Sequence, residues 1–219
     1  YEMSASLVGS EMCIRDSDVT EAAKKLTKDD GSQYGLCLRN DNNQAGYYNL
    51  IYDNGGYIIN DDKTKSGMDD PKTVEAMEML EGWIKDGVLP PIETMSENGE
   101  DVLLESGKVA MVPQGSWMIA AFRDNEYTAE NCDCVELPKS ATTGRRASLY
   151  NGLGWAAAAN TEHPEEAWQL IEYLGSKEAQ EKQAELGVTM SAYTGTSEAW
   201  AKSANFNLQA YINMMDDME

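Results

Sequence analysis

An α/β fold is predicted by two patterns: short apolar runs suited to buried strands alternate with segments whose apolar residues recur at helical spacing, and glycine or proline marks the junctions. The scale is adequate as well, because 219 residues, 42% of them hydrophobic, can bury an ordinary core. The opening YEMSASLVGSEMCIRDS has no clean period of either kind, and Ser6 to Ser17 resembles translated sequencing-adapter DNA. Residues 1–17 are therefore expected to be a foreign leader outside the fold.

From Asp18 the elements follow in order. Asp18 is a plausible helix cap, with Val19, Ala22, Ala23 and Leu26 forming one stripe behind it. After the turn at Gly31, Tyr34 to Leu38 reads as a buried strand, Asn40 to Gln44 as an amide-rich loop, and Tyr47 to Tyr57 as an apolar stretch that stops at Gly55-Gly56. Asp70-Pro71 is a cap followed by proline at the first helical position, and Val74, Met77, Leu80, Trp83 and Ile84 continue the helix toward Gly87. Trp83 is expected in the core.

Val102 to Glu105 is predicted as a short helix, turning at Gly107 into a strand over Val109 to Val112, with Gly115-Ser116-Trp117 directly after. Val135 to Pro138 is another predicted strand, and the polar, basic stretch Lys139 to Arg146 is the predicted crossing between lobes. Leu153 to Ala158 is a further strand. Pro164, with Glu165 and Glu166 in the first turn, opens a helix through Leu174, and Ser176 caps the next one, which runs to Gly187. Trp168 lies in a helical stripe and is expected in the core, whereas His163, ahead of a proline, is expected at the surface.

Composition narrows the function. The 38 acidic residues outnumber 17 basic ones for a formal charge of -21, which opposes binding to a phosphate backbone, so nucleic acid is not expected as a partner. The aromatic residues are 11 Tyr and 5 Trp against 2 Phe, a bias toward rings with a polar handle that suits wet sites. Cys132-Asp133-Cys134 is too tight for an ordinary disulfide or a zinc knuckle, so no metal and no cofactor are expected. No catalytic signature is present: there is no Gly-x-Ser-x-Gly elbow, no His-Glu-x-x-His and no phosphate loop, and a single histidine excludes most triads. A glycoside hydrolase needs only two carboxylates and aromatic platforms, so it stays open as an alternative, beside a lectin-like surface module.

The pieces Leu104-Glu105-Ser106-Gly107-Lys108-Val109-Ala110-Met111, Gly115-Ser116-Trp117, Leu137-Pro138-Lys139, His163-Pro164-Glu165-Glu166-Ala167-Trp168 and Gly175-Ser176-Lys177-Glu178-Ala179-Gln180 occur in that order. Together with Asp70-Pro71, this series resembles the family 1 extracellular solute-binding proteins, the group of maltose- and oligosaccharide-binding proteins that serve ABC importers. The resemblance spans about residues 18 to 200. It implies a periplasmic-binding-protein-like fold, mostly the C-terminal lobe with a strand-helix remnant of the N-terminal lobe. Residues 18–137 would be the C-terminal lobe, 138–180 a return segment to the N-terminal lobe, and 181–219 a truncated crossing back.

The resemblance further implies a non-enzymatic function: binding a mono- or oligosaccharide in an interlobe cleft, with hinge closure. The expected partners are the sugar and the importer's permease subunits, with a monomeric protein at the cell surface on a lipid anchor or in the periplasm. A pyranose offers flat C–H patches and a rim of hydroxyls, so a matching site needs aromatic planes and hydrogen bonders. The expected ligand-binding residues are Gln44, Tyr47, Tyr48, Trp117, Asn151, Trp155 and Tyr193. Spacing alone leaves Trp117 and Trp155 equally open to core roles; family members carry a stacking tryptophan at the Gly115-Ser116-Trp117 motif. Arg145 and Arg146 would suit an acidic sugar, but a solvated loop is the favoured reading.

Overall fold

The computed structural model describes residues 15–39 and 46–217. Its organising element is the extended segment 34–39, in which residues 36–38 alternate between two apolar clusters. Leu36 and Leu38 enter one cluster with Ala23, Leu50, Ile51, Ala76, Trp83, Val88 and Leu89. Cys37 enters the other, with Leu103, Leu104, Val109, Ile119, Phe122, Ala184, Trp200, Phe206 and Leu208. A period of two with both faces buried is how a central strand packs.

The backbone agrees. Tyr34 N–H donates to Lys108 O (2.9 Å), Ala110 N–H to Tyr34 O (2.9 Å) and Cys37 N–H to Met111 O (3.0 Å), while Leu36 N–H turns the other way to Val88 O (3.2 Å). The predicted strands at 34–38 and 109–112 are thus extended and parallel, but their pairing registers only as an isolated bridge, Tyr34 with Val109. Val135 to Leu137 is extended too, with Leu137 N–H set against the Met214 sulfur at 3.2 Å. The predicted strand at 153–158 has no pairing partner. Among the described residues, 149–157 exchange no backbone hydrogen bond.

The helices are α1 (Asp16–Leu26), α2 (Tyr48–Asp53), α3 (Pro71–Lys85), α4 (Ile92–Glu97), α5 (Glu100–Glu105), α6 (Ile119–Asp124), α7 (Glu126–Asn131), α8 (Pro164–Leu174), α9 (Lys177–Glu185), α10 (Ser197–Trp200) and α11 (Gln209–Asn213); α1, α2 and α3 bury residues in the cluster around Trp83, and α5, α6, α9 and α10 in the cluster around Cys37. The α3 cap forms as its sequence predicts, Asp70 Oδ1 accepting from Lys72 N–H at 2.9 Å. Ser176 caps α9 through Ala179 N–H (3.3 Å).

The cap of α1 differs. Asp18 is the third helical residue and reaches back to accept from Arg15 N–H at 2.9 Å, so the helix begins two residues before the expected cap. Residues 15–17, expected outside the fold, belong to it. Asp16 N–H donates to Lys139 O (3.0 Å), and Asp16 Oδ1 accepts from Ala141 N–H (3.0 Å). The rest of the expected leader lies outside the described residues.

Trp83 carries α3 into the core as expected, with its Nε1–H donating to Thr20 Oγ1 of α1 at 2.8 Å. Burying an indole removes roughly 150–250 Å² from water, about 4–6 kcal/mol at about 25 cal/mol per Å², against about 1 kcal/mol for the hydrogen bond. Burial therefore supplies the energy and the bond sets the ring's orientation. Gly35 lets α1 sit this close, because a Cβ there would lie 2.0 Å from the Ala23 carbonyl oxygen, which is backbone and cannot yield.

One expectation about the predicted crossing is corrected. Lys139 to Arg146 docks on α1 and α2. Thr143 Oγ1 donates to Asp53 O (2.6 Å) and Ala147 N–H to Asp53 Oδ1. Arg146 is not solvated: its guanidinium is mostly buried between Glu136 and Asp217. Trp168 is not in the core either. It is 62% exposed on α8, in company with Leu170 and Tyr173, and Leu153 nearby in sequence is 90% exposed. The stripe itself, Ala167, Ile171 and Leu174, is half-buried beside α9, and Trp168 lies off it.

Asp53 closes α2 almost entirely out of water. Burial pushes its carboxyl up to about 7 from 3.8, with Asp16 adding to the rise, and Ala147 N–H, Arg145 and Arg146 opposing it. A folded value above the unfolded one means the proton is bound more tightly in the folded chain. The stabilisation is complete below about pH 4 and is lost as pH rises through about 7. Asp53→Asn cannot titrate, so the stability of wild type relative to this variant should fall across that window in urea melts. A pH-independent difference would contradict the burial of an ionisable group there.

Candidate functional site

The segment 109–112 ends at Pro113 and Gln114, and the chain then tightens into a single 3₁₀ turn, Ser116–Met118. That turn turns Met118 inward against the cluster around Cys37 and leaves the Trp117 indole 45% exposed. The ring folds back over Gly115: a Cβ on that residue would fall 2.0 Å from the indole Cζ3. The φ of Gly115 is -85°, open to any residue, so glycine is needed for space and not for backbone freedom.

Hydrogen bonds fix both ends of the turn. Gln114 Oε1 accepts from Gly115 N–H (2.9 Å), and Gln114 O accepts from the buried Tyr211 hydroxyl (3.0 Å). Gln114 Nε2 donates to Glu100 Oε1 (2.7 Å), which also meets Arg39 Nη1 at 3.2 Å. Ser116 Oγ and Thr189 Oγ1 lie 3.2 Å apart, linking the turn to the chain after α9.

That later chain carries Tyr193, exposed at 42%. Gln180 Oε1 of α9 accepts from Ser191 Oγ (3.0 Å) and Ala192 N–H (3.2 Å), and Ser191 Oγ accepts from Tyr193 N–H (3.1 Å). The Ser116–Thr189 contact therefore joins the Trp117 turn to a segment that presents a second ring to solvent.

Tyr47 and Tyr48 stand together at the start of α2, ring centroids 5.3 Å apart and edge-on at 78°. Both are half-buried, and Tyr47 packs on the cluster around Trp83. Burial, and secondarily Tyr48, raises the Tyr47 phenol above its ordinary value, so it is a neutral donor at physiological pH.

Among the described residues, Asn151 and Trp155 make no side-chain hydrogen bond or ring contact with these residues. Both are exposed, Trp155 at 59%, on the unpaired stretch before α8. Trp155 is therefore no buried strand residue. Gly154 beside it has open space around it. Among the described residues, the rings of Trp117, Trp155, Tyr47 and Tyr193 do not touch one another. Gln44 lies outside the described residues.

The supporting residues Glu100, Gln114, Thr189 and Gln180 escape sequence reasoning. Glu100 reads as a solvent-facing acid in a helix's first turn, and only packing reveals that it is 3% exposed. The free thiols of Cys37 and Cys134 are pushed up to about 12 by burial, which leaves them protonated and unsuited to nucleophilic or metal-binding roles. No helix is long and apolar enough to cross a membrane among the described residues.

Residues 17–210 match a family described as bacterial extracellular solute-binding protein. A comparison with curated proteins finds no match. Among solved structures, an ABC substrate-binding protein from Listeria monocytogenes in complex with cycloalternan superposes with a TM-score of 0.77 at 21% identity, covering 98% of this chain and 55% of its own. The maltose/maltodextrin-binding domain of Bdellovibrio bacteriovorus bound to maltotriose gives 0.74 at 19%, covering 95% and 56%. The GacH receptor of Streptomyces glaucescens, solved with acarbose, gives 0.76 at 19%, covering 96% and 54%. The chain thus spans about half the length of these structures, and it shares their fold.

Gly115→Ala should swing the Trp117 ring off its turn. The expected result is stronger acrylamide quenching of the part of the fluorescence that Trp117→Phe removes. Unchanged quenching would mean that the indole does not rest on Gly115.

Proposed function

The chain belongs to the bacterial extracellular solute-binding proteins, which bind and do not transform their solutes, and from that premise we propose that it is the sugar-binding part of an ABC importer's binding component. The observation that carries the reading is the half-exposed Trp117 indole, fixed on a bonded turn at the end of an extended segment. An α/β fold places ligands at such ends, and an exposed indole held still is costly to maintain for packing alone. That the structures it resembles hold cycloalternan, maltotriose and acarbose supports a carbohydrate.

In this proposal Trp117 stacks on a pyranose face, and Tyr193 offers a second ring through the Thr189 link. Tyr47 and Tyr48, with Gln44, supply hydrogen bonds to hydroxyls. Residues 138–180 return to a second lobe. The exposed side chains of Trp168, Leu170 and Tyr173 around α8 then meet the remaining half of a protein of its relatives' length, and Asn151 and Trp155 reach the ligand from that side when the lobes close. The sugar favours closure because only the closed state engages both sets of groups. Permease subunits would read that closed form outside the cell, where a lipid anchor or a periplasm retains the protein.

Calorimetry on the two-lobed protein tests this. Trp117→Ala is expected to weaken maltotriose binding by about tenfold or more, equivalent to about 1.4 kcal/mol. An unchanged affinity would remove Trp117 from the site. Maltotriose should also be recovered intact after incubation, and its conversion to shorter sugars would favour the glycoside hydrolase alternative.

A further inference from the structure

The Glu100 side chain is 2% exposed, yet it sits in the first turn of α5 beside an apolar cluster containing Cys37 and Leu103. A charged group in that position is costly unless fully met, and an apolar residue of similar volume would serve stability as well or better. Its partners indicate what it does instead. Arg39 Nη1, at the end of the central extended segment, supplies the opposing charge at 3.2 Å, and Gln114 Nε2 donates at 2.7 Å.

Gln114 is thereby held in one orientation. With Nε2 committed to Glu100, the amide must present Oε1 elsewhere, and it accepts from Gly115 N–H at 2.9 Å. Gly115 is the residue on which the Trp117 ring rests. We propose that Glu100 is the positioning residue of Trp117: the carboxylate sets the Gln114 amide, the amide sets the Gly115 peptide, and the peptide sets the indole. The proposal rests on the reading of Trp117 as the sugar platform, and it adds a buried acid that never touches the ligand.

The test uses the chain labelled with 5-fluorotryptophan, whose five tryptophans give resolved ¹⁹F resonances, Trp117 being identified by its loss in Trp117→Phe. Glu100→Ala and Gln114→Ala should each displace the Trp117 resonance while those of Trp83 and Trp200 stay in place, and the double variant should displace it no further. Glu100→Gln keeps an acceptor oxygen for Gln114, so it should leave Trp117 near its wild-type position. A purely structural role for Glu100 would move Trp83 and Trp200 too.

A Trp117 resonance unmoved by Gln114→Ala, or displacements that add in the double variant, would overturn the proposal. Should Glu100→Ala fail to fold, with Trp83 and Trp200 losing their positions, Gln114→Ala decides alone by the same criterion. Maltotriose added to wild type separates the two readings: a Trp117 resonance that ignores the sugar but moves in Gln114→Ala contradicts the sugar platform and supports the positioning role.

Discussion

The extended segment 34–39 is the constraint on which the rest depends, because one backbone serves two cores. Leu36 and Leu38 must face α1, α2 and α3 while Cys37 faces the cluster that ends at Trp200 and Leu208. A slip of one residue would exchange the faces, so the register is strongly specified. That register also delivers Arg39 to Glu100, and Lys108 to Met111 to the edge from which Gln114 and Trp117 emerge. The apolar packing that holds the fold is therefore continuous with the polar chain that orients the exposed ring.

The polar links are not interchangeable with more packing. Arg146 between Glu136 and Asp217 ties the docked loop 140–147 to the chain after α11, and Asp53 receives the same loop on α2. Such part-buried polar contacts add little net stability beside apolar burial, but they admit few alternative arrangements. Placed around the point where the chain leaves the folded body, they fix where the exposed stretch 149–174 begins. That stretch keeps Leu153, Trp155, Trp168, Leu170 and Tyr173 in water, in keeping with a chain that spans about half the length of its structural relatives.

What was legible in the sequence follows the same division. Caps that act within one turn are legible at two helices, Asp70-Pro71 opening α3 and Ser176 capping α9, but not at α1, where Asp18 is the third helical residue and not the cap. Segment directions were legible from apolar runs, but pairing was not, since 153–158 looks like a strand in letters and has no pairing partner among the described residues. A helical stripe shows which face is apolar without marking its edge, so Trp83 was placed correctly and Trp168, which lies off the stripe of α8, was not. Of the expected site residues, Trp117, Trp155 and Tyr193 are exposed rings, which spacing could not distinguish from core residues. Glu100 and Gln114 were illegible because burial of an acid depends on partners 61 and 14 residues distant.

The central claim is that the Trp117 face receives a pyranose. Intermolecular nuclear Overhauser measurements on the labelled chain with maltotriose test it directly, since they register weak contacts as well as strong ones. The account predicts transfer between the sugar's ring protons and the six-membered ring of the Trp117 indole. Transfer to other residues with none to Trp117 would contradict it.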